Sequence, residues 1–156
     1  MKGFTVSEQG HIVNILSPQS IAGAVTSDVF SLKDYEHATI IVTAGSTNAD
    51  AGNITVEQCD DFTPSNHAPI TFDYYAEETA AGDTLAAKVV ATVAGIDVSG
   101  NDNIIYAIEI DASHLTNDYP CLQLRWSAPG GATLVSAVAV LTGARYGSSQ
   151  TPTAIV

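Results

Sequence analysis

The sequence predicts an all-β domain, an antiparallel β-sandwich of jelly-roll-like character with about eight or nine strands. Three observations predict this fold. Short apolar runs with period-two alternation recur along the chain, and such alternation is typical of half-buried strands. Clusters of glycine, asparagine, aspartate, serine and proline separate the runs and favour turns. No long amphipathic helix lies between the runs, which disfavours a parallel α/β fold.

The strand candidates are rich in β-branched and aromatic residues, which fit a pleated and half-buried surface. Most of them end at a glycine or at a polar turn cluster. Two weaker runs precede the stronger ones. In chain order the candidates are Ile12 to Leu16, Val29 to Leu32, Ala38 to Ala44, Asn53 to Cys59, Ile70 to Tyr75, Lys88 to Ala94, Ile104 to Asp111, Leu122 to Ser127 and Thr133 to Thr142.

Helix is expected in at most one or two single turns. Glu77 to Ala87 contains helix formers, but Gly82 and Asp83 interrupt it, so we interpret it as a polar loop. Ala112 to Asn117 is predicted to form a one-turn connection between two core strands, with Leu115 closing the end of the core.

The chain length of 156 residues fits one domain. We predict an N-terminal arm over residues 1–10, a single sandwich domain over 11–146 and a flexible tail over 147–156. Met1 to Gly10 has no apolar run that would indicate a signal peptide. No stretch approaches the roughly 20 apolar residues of a membrane helix, so no membrane partner is expected.

Charge narrows the class of partner. Five Lys and Arg stand against 17 Asp and Glu, a formal net charge of −12. This excess argues against nucleic-acid binding, which depends on cations that replace counterions on phosphates, and against docking on anionic lipid. We interpret it mainly as a solubility feature; an acidic surface shaped for a basic partner is the alternative.

The two cysteines, Cys59 and Cys121, form no CxxC motif and are too few for a disulfide framework. Alternation places Cys59 on the face of Thr55 and Glu57, and Cys121 on the face that carries Gln123. The two thiols could therefore be neighbours or lie on opposite sheets. A reduced, cytosolic assembly history is the default.

No catalytic motif is present, neither a nucleophile elbow nor a phosphate-binding loop nor a zinc-binding His-Glu-x-x-His, so we predict a protein that is not an enzyme and needs no cofactor. His11, His37, His67 and His114 have no ligand-like spacing, and no metal site is predicted. We expect these histidines to be solvated or locally hydrogen-bonded, with His37 and His67 in turns.

Asp60 and Asp61 form the best carboxylate pair. A calcium site completed by Asp73 or by residues 101–103 is one hypothesis, but the spacing matches no calcium-binding loop. The favoured alternative is a turn in which the two side chains cap their own backbone.

Trp126 could stack on a sugar, but its alternation with Leu122 and Leu124 predicts a place in the core instead. The tyrosines near strand ends are better candidates for a protein interface, because their rings are amphipathic. The candidate interface residues are Phe4 and Val6 in the arm, together with Tyr74, Tyr75 and Tyr146.

Four segments resemble parts of small virion proteins of tailed bacteriophages. Tyr119 to Ala128 (YPCLQLRWSA), a Gly-Gly turn and Val135 to Tyr146 (VSAVAVLTGARY) are similar to two strands of those proteins. Asn53 to Asp61 (NITVEQCDD) resembles their strand and acidic turn, and Val29 to Ala44 resembles their opening segment. The resemblance spans about Val29 to Tyr146.

This resemblance implies a capsid decoration, or cement, protein on the exterior of the virion, assembled in the host cytoplasm. It implies the major capsid protein and further copies of this chain as partners, with a homotrimer expected, and it brings no catalytic residues. Two alternatives stay open: a head–tail connector or tail component, and a carbohydrate-binding sandwich module with an exposed aromatic platform.

Overall fold

The computed structural model describes residues 3, 5–45, 50–77, 84–100 and 102–145. These residues form an all-β sandwich, which confirms the predicted fold class. Jelly-roll connectivity stays a prediction. The strands are β1 (His11–Ile21), β2 (Val25–Thr26), β3 (Phe30–Ser31), β4 (Tyr35–Ala44), β5 (Asn53–Cys59), β6 (His67–Pro69), β7 (Phe72–Ala76), β8 (Val89–Ala91), β9 (Ile96–Asp97), β10 (Ile104–Asp111), β11 (Cys121–Trp126) and β12 (Thr133–Ala144).

Two six-stranded antiparallel sheets make up the sandwich. Sheet 1 has the order β1-β12-β4-β10-β7-β8. The last strand of the chain, β12, therefore lies between the early strands β1 and β4. In sheet 2, β11 and β5 are the central pair; β2 and β3 both pair with β11, while β6 and β9 both pair with β5. Sheet 2 is therefore four strands wide, with both of its edges divided into short pieces.

Alternation fixes which side chains enter the space between the sheets. Ile40 on β4 lies opposite Ile108 on β10 and opposite Ala139 on β12, and all three are buried. From sheet 2, Leu124 and Trp126 enter the same core cluster. A one-residue slip in register would turn each of these rows towards the outside, so the burial of one face specifies the pairing.

Trp126, the single tryptophan of the chain, is 0% exposed. Its indole Nε1–H donates to the carbonyl of Ala51 over 2.8 Å, which satisfies the polar atom that would otherwise be buried without a partner. The prediction that this ring lies in the core is confirmed.

The prediction of one continuous strand over Lys88 to Ala94 is wrong. Strand β8 ends at Ala91, a turn closes with a bond from Gly95 N–H to the carbonyl of Thr92, and β9 continues in the other sheet. Gly95 has a φ of +81°, and a Cβ there would lie 2.0 Å from the carbonyl oxygen of Ile54. The glycine therefore lets the chain cross between the sheets in close contact with β5.

Helical structure is limited to two short pieces within the described residues. Val6–Gln9 forms a single α-helical turn in the predicted arm, and Ala112–His114 forms a 3-10 turn in the predicted one-turn connection. Leu115 follows that turn and packs against the core, as expected. Of the predicted polar loop over 77–87, residues 78–83 lie outside the described residues. Among the described helices, none is long and apolar enough to cross a membrane.

Candidate interaction surfaces

The outward face of sheet 1 carries an apolar surface that is partly exposed to solvent. Along β4, β10 and β12 the contributing residues alternate with buried core residues and so point away from the sandwich interior. Ile12 and Tyr75 lie on the same side of the sheet, as cross-strand partners of Val140 and Ala107. Two of its isoleucines, Ile12 and Ile41, remain 52% and 39% exposed. We name this surface the outer patch, and it consists of Ile12, Ile41, Tyr75, Ile105, Ala107, Val138 and Val140.

Strand register makes the outer patch continuous. Ile41 on β4 is the cross-strand partner of Val138 on β12 and of Ala107 on β10, and Ala107 in turn is the partner of Tyr75 on β7. An apolar row therefore crosses four neighbouring strands without a polar interruption. Such a row presents a broad sheet surface and not an enclosed pocket.

A polar cluster borders the outer patch. Thr39 and Glu109 are cross-strand partners in the next row, and the hydroxyl of Thr39 donates to Oε2 of Glu109 over 2.7 Å. His37 contacts the same Oε2 through Nε2 at 2.6 Å and Oδ1 of Asp111 through Nδ1 at 2.8 Å. The prediction that His37 lies in a turn is wrong, because it lies in β4 and bridges two carboxylates of β10.

The two carboxylates change the acid–base behaviour of His37. Partial burial disfavours the imidazolium, but the hydrogen bonds to Asp111 and Glu109 and the charges of these residues outweigh it and raise the pKa of His37 above its usual value of 6.5. Protonated His37 can donate through both ring nitrogens at once, one to each carboxylate. The hydrogen bonds from His37 to Glu109 and Asp111 are therefore strongest when the imidazole ring is protonated.

We expect this cluster to make stability depend on pH. Because the folded-state pKa of His37 is raised, its contribution is present below about pH 6.5 and is lost as the pH rises through the folded-state pKa. Urea unfolding at pH 5.5 and 8.5 should show a loss of up to about 1 kcal/mol across this range, a small value because the groups are partly exposed. His37→Gln should reduce this pH dependence.

His114→Gln provides the matched control, since His114 lies in the 3-10 turn after β10 and is not the histidine that contacts Glu109 and Asp111. That variant should keep the pH dependence of the parent. Equal slopes of unfolding free energy against pH in the parent and in His37→Gln would contradict the assignment.

The predicted interface residues do not lie together. Tyr75 belongs to the outer patch, whereas Tyr74 points to the opposite face of β7 and packs partly against the core, with its ring centroid 6.2 Å from that of Tyr106. Val6 is exposed on the helical turn. Phe4 and Tyr146 lie outside the described residues.

The sequence prediction missed the isoleucines of the outer patch. The run Ala38 to Ala44 contains Ile40 and Ile41 in succession, so one of the two must leave the core in a strand, and this was the available signal. The aromatic residues proposed for a sugar platform do not form one. Trp126 is buried, and Tyr74 and Tyr75 lie on opposite faces of the same strand.

The outward face of sheet 2 is polar and is organised around a buried carboxylate. Glu57 on β5 accepts from Nε2 of Gln123 over 2.7 Å, contacts Nδ1 of His67 at 2.9 Å and lies 3.9 Å from Nη1 of Arg125. His67 lies in β6, so its prediction as a turn residue is also wrong. Glu57 has partners from both neighbouring strands, which explains how a carboxylate is tolerated at a buried position.

Cys59 and Cys121 are cross-strand partners at one end of the β5–β11 pair in sheet 2, which decides between the two arrangements left open by the sequence. Both are buried free thiols. Burial, together with the charge of Glu57, raises the pKa of Cys59 to about 12, and burial likewise raises the pKa of Cys121. Neither thiol is ionised appreciably near neutral pH, and the thiolate is the reactive form.

We therefore expect both thiols to resist modification in the native protein. With a thiol-reactive disulfide reagent at pH 8, fewer than about one in ten thiols should react within minutes, and both should react after unfolding in urea. Rapid modification of both thiols without denaturant would contradict the described burial.

The Asp60 and Asp61 side chains cap their own turn, as favoured from the sequence. Asp60 accepts from the backbone N–H groups of Ser65 at 3.1 Å and Asn66 at 3.0 Å, and from Nδ2 of Asn66 at 2.9 Å. These bonds lower the pKa of Asp60. Asp61 accepts from the N–H of Phe62 at 2.7 Å. The described part of the chain contains no group of three or more His, Cys, Asp or Glu arranged to hold a metal.

Comparison with known proteins finds similarity to solved structures only. No protein-family model matches the chain, and no curated protein matches it. A solved structure titled "Crystal structure of SPBc2 prophage-derived protein YomS" is similar with a TM-score of 0.43 and 9% identity. The match covers 84% of this chain and 94% of that one. With this TM-score, the match supports no inference about the function of this chain.

Proposed function

We propose that this protein is a non-enzymatic structural protein of a tailed-bacteriophage virion, a capsid decoration protein that binds the head and stabilises it. The observation that carries the proposal is the outer patch. In a chain of net charge −12, a partly exposed apolar row across four strands is an exception that calls for a partner. Contiguous apolar surface of this kind marks interaction sites.

The shape of the outer patch favours a protein partner. A small ligand needs a concave site that encloses most of its surface, whereas β12, β4, β10 and β7 present the patch on an open sheet face. Protein interfaces combine such an apolar centre with a polar rim. Glu109 and Thr39 lie next to the patch and provide a polar border on one side.

The partners we propose are the major capsid protein and further copies of this chain, on the exterior of the virion after assembly in the host cytoplasm. A homotrimer fits the local three-fold positions of a capsid, because homo-oligomers are mostly cyclic. Many copies on one particle make modest individual contacts collectively strong. The phage-like segments over 53–61 and 119–146 support the choice of particle.

The test is binding of the purified protein to capsids that lack it. We expect the protein to sediment with the capsids in saturable amounts and to raise the temperature at which they open. Absence from the pellet together with unchanged heat resistance would overturn the proposal. The number of copies of this protein in a purified particle distinguishes a decoration protein from a connector or tail component. Hundreds of copies indicate decoration, and about a dozen indicate a connector or tail component.

A further inference from the structure

A cleft of about 350 Å³ lies where the turn after β3, the connection between β10 and β11 and the end of β12 meet. Leu32, Leu115 and Pro120 contribute apolar side chains to its lining. Lys33, Arg145 and Asp118 contribute the charged groups of its lining. The cleft is separate from the outer patch, which contributes no residue to it. It is also separate from Glu57 and from the side chains of Gln123, His67 and Arg125 that contact Glu57.

Cations are scarce in this chain, so their placement is informative. Of the five Lys and Arg residues, Lys2 lies outside the described residues. Lys88 pairs with Asp73 at 2.9 Å, and Arg125 lies 3.9 Å from the carboxylate of Glu57. These two side chains therefore already have acidic neighbours.

The other two cations share the cleft. Within the described part of the chain, neither Lys33 nor Arg145 forms an ion pair, although the chain has 17 acidic residues. With Asp118 as the one acidic residue of the lining, the charged side chains leave a formal excess of one positive charge. An excess of one positive charge fits a monoanion.

The backbone around the cleft is held in place by hydrogen bonds. Arg145 N–H donates to the carbonyl of Asp34 over 2.9 Å, and Leu32 N–H donates to the carbonyl of Pro120 over 2.9 Å. The side-chain amide of Gln58 on β5 forms two hydrogen bonds with Thr116. Its Oε1 accepts from the Thr116 N–H at 2.9 Å, and its Nε2 donates to the Thr116 hydroxyl at 3.0 Å. Ligand binding would therefore require little ordering of the chain.

We propose that this cleft binds a carboxylate attached to a short apolar body. Arg145 and Lys33 provide charge-assisted donors for the carboxylate, and a guanidinium can bind both of its oxygens. The apolar side chains of the lining receive the aliphatic or aromatic part. The volume of about 350 Å³ is at the small end of ligand sites and matches a short apolar body. This inference does not depend on the virion proposal.

Titration of the ¹⁵N-labelled protein with hexanoate, followed by amide chemical shifts, tests the site. We expect saturable shifts at Leu32, Leu115 and Tyr119. Hexanol, which has the same chain without the charge, should bind at least about tenfold more weakly, since charge-assisted hydrogen bonds are lost. Absence of shifts up to about 50 mM hexanoate, or equal affinity for hexanol, would overturn the proposal.

Charge variants locate the interaction. The double variant with Lys33→Gln and Arg145→Gln should lower the hexanoate affinity about tenfold or more, while the matched control Lys88→Gln should leave it unchanged. The amide spectrum itself shows whether each variant is folded. Equal binding by the double variant and the parent, or equal losses in both variants, would overturn the site assignment.

A second pair of ligands separates two sources of the carboxylate. N-acetyl-leucine imitates the C-terminus of a peptide, and N-acetyl-leucinamide is its neutral counterpart. Tighter binding of N-acetyl-leucine than of hexanoate would assign the site to a peptide terminus, and the reverse order would assign it to a free aliphatic acid. Each order supports the proposal, whereas equal binding of the amide and the acid contradicts it.

Discussion

Replacing Trp126 by alanine should lower the free energy of unfolding by about 3–5 kcal/mol, enough to remove a large part of the stability of a domain of this size. The ring is completely buried and lies in the core cluster to which both sheets contribute. Its removal leaves a cavity, and it also removes the donor to the carbonyl of Ala51, a residue that is itself buried. Urea unfolding followed by far-UV circular dichroism measures the change, because the variant has no tryptophan fluorescence.

Trp126→Phe separates the two contributions. Phenylalanine keeps most of the apolar surface but has no N–H for the carbonyl of Ala51, so a loss of about 1–3 kcal/mol is expected from the unpaired carbonyl and the smaller ring. The alanine variant should therefore be clearly less stable than the phenylalanine variant. A loss below about 1 kcal/mol in Trp126→Ala would show that the ring is not a core residue and would reopen a surface role for it.

The sequence predicts strand positions best where a strand is long and buries one of its faces. β10 spans the predicted range Ile104 to Asp111, because its side chains alternate between the core and the outside over eight residues. Such a run has enough repeats to define its period. β5 also spans its predicted range, Asn53 to Cys59, although its last four residues are all buried. Strands β2, β6 and β9 have only two or three residues, which is too short for any period to show.

The histidines show a different limit. The prediction that His37 and His67 lie in turns is wrong for both, since each lies in a strand and contacts a carboxylate. Glu109 is 72 residues from His37 along the chain, and only the pairing of β4 with β10 brings the two together. Contacts that depend on strand order cannot be obtained from local pattern.

The outer patch could not be predicted for the same reason. Alternation indicates that Ile41 leaves the core, but a single exposed isoleucine is ordinary on a protein surface. The surface becomes unusual because β12, β4, β10 and β7 bring Val138, Ile41, Ala107 and Tyr75 into one row. The lining of the Lys33 and Arg145 cleft is likewise gathered from segments far apart in sequence.

If the outer patch is the contact with the capsid, Ile41→Asp should weaken capsid binding by more than about tenfold, because a charge at the centre of an apolar interface is desolvated without a partner. Ile41 is 39% exposed in the free protein, so the free energy of unfolding should change by only about 1 kcal/mol. Sedimentation with undecorated capsids across a range of protein concentrations gives the affinity, and urea unfolding of the same samples gives the stability.

Val93→Asp is the matched control for this measurement. Val93 is 53% exposed in the turn between β8 and β9, outside the outer patch, and the substitution adds the same negative charge to the chain. Capsid binding should be retained in Val93→Asp and in the conservative variant Ile41→Val. Equal weakening in both aspartate variants would assign the effect to net charge. Undiminished binding by Ile41→Asp would exclude the outer patch as the capsid contact, even for a protein that decorates the head through another surface.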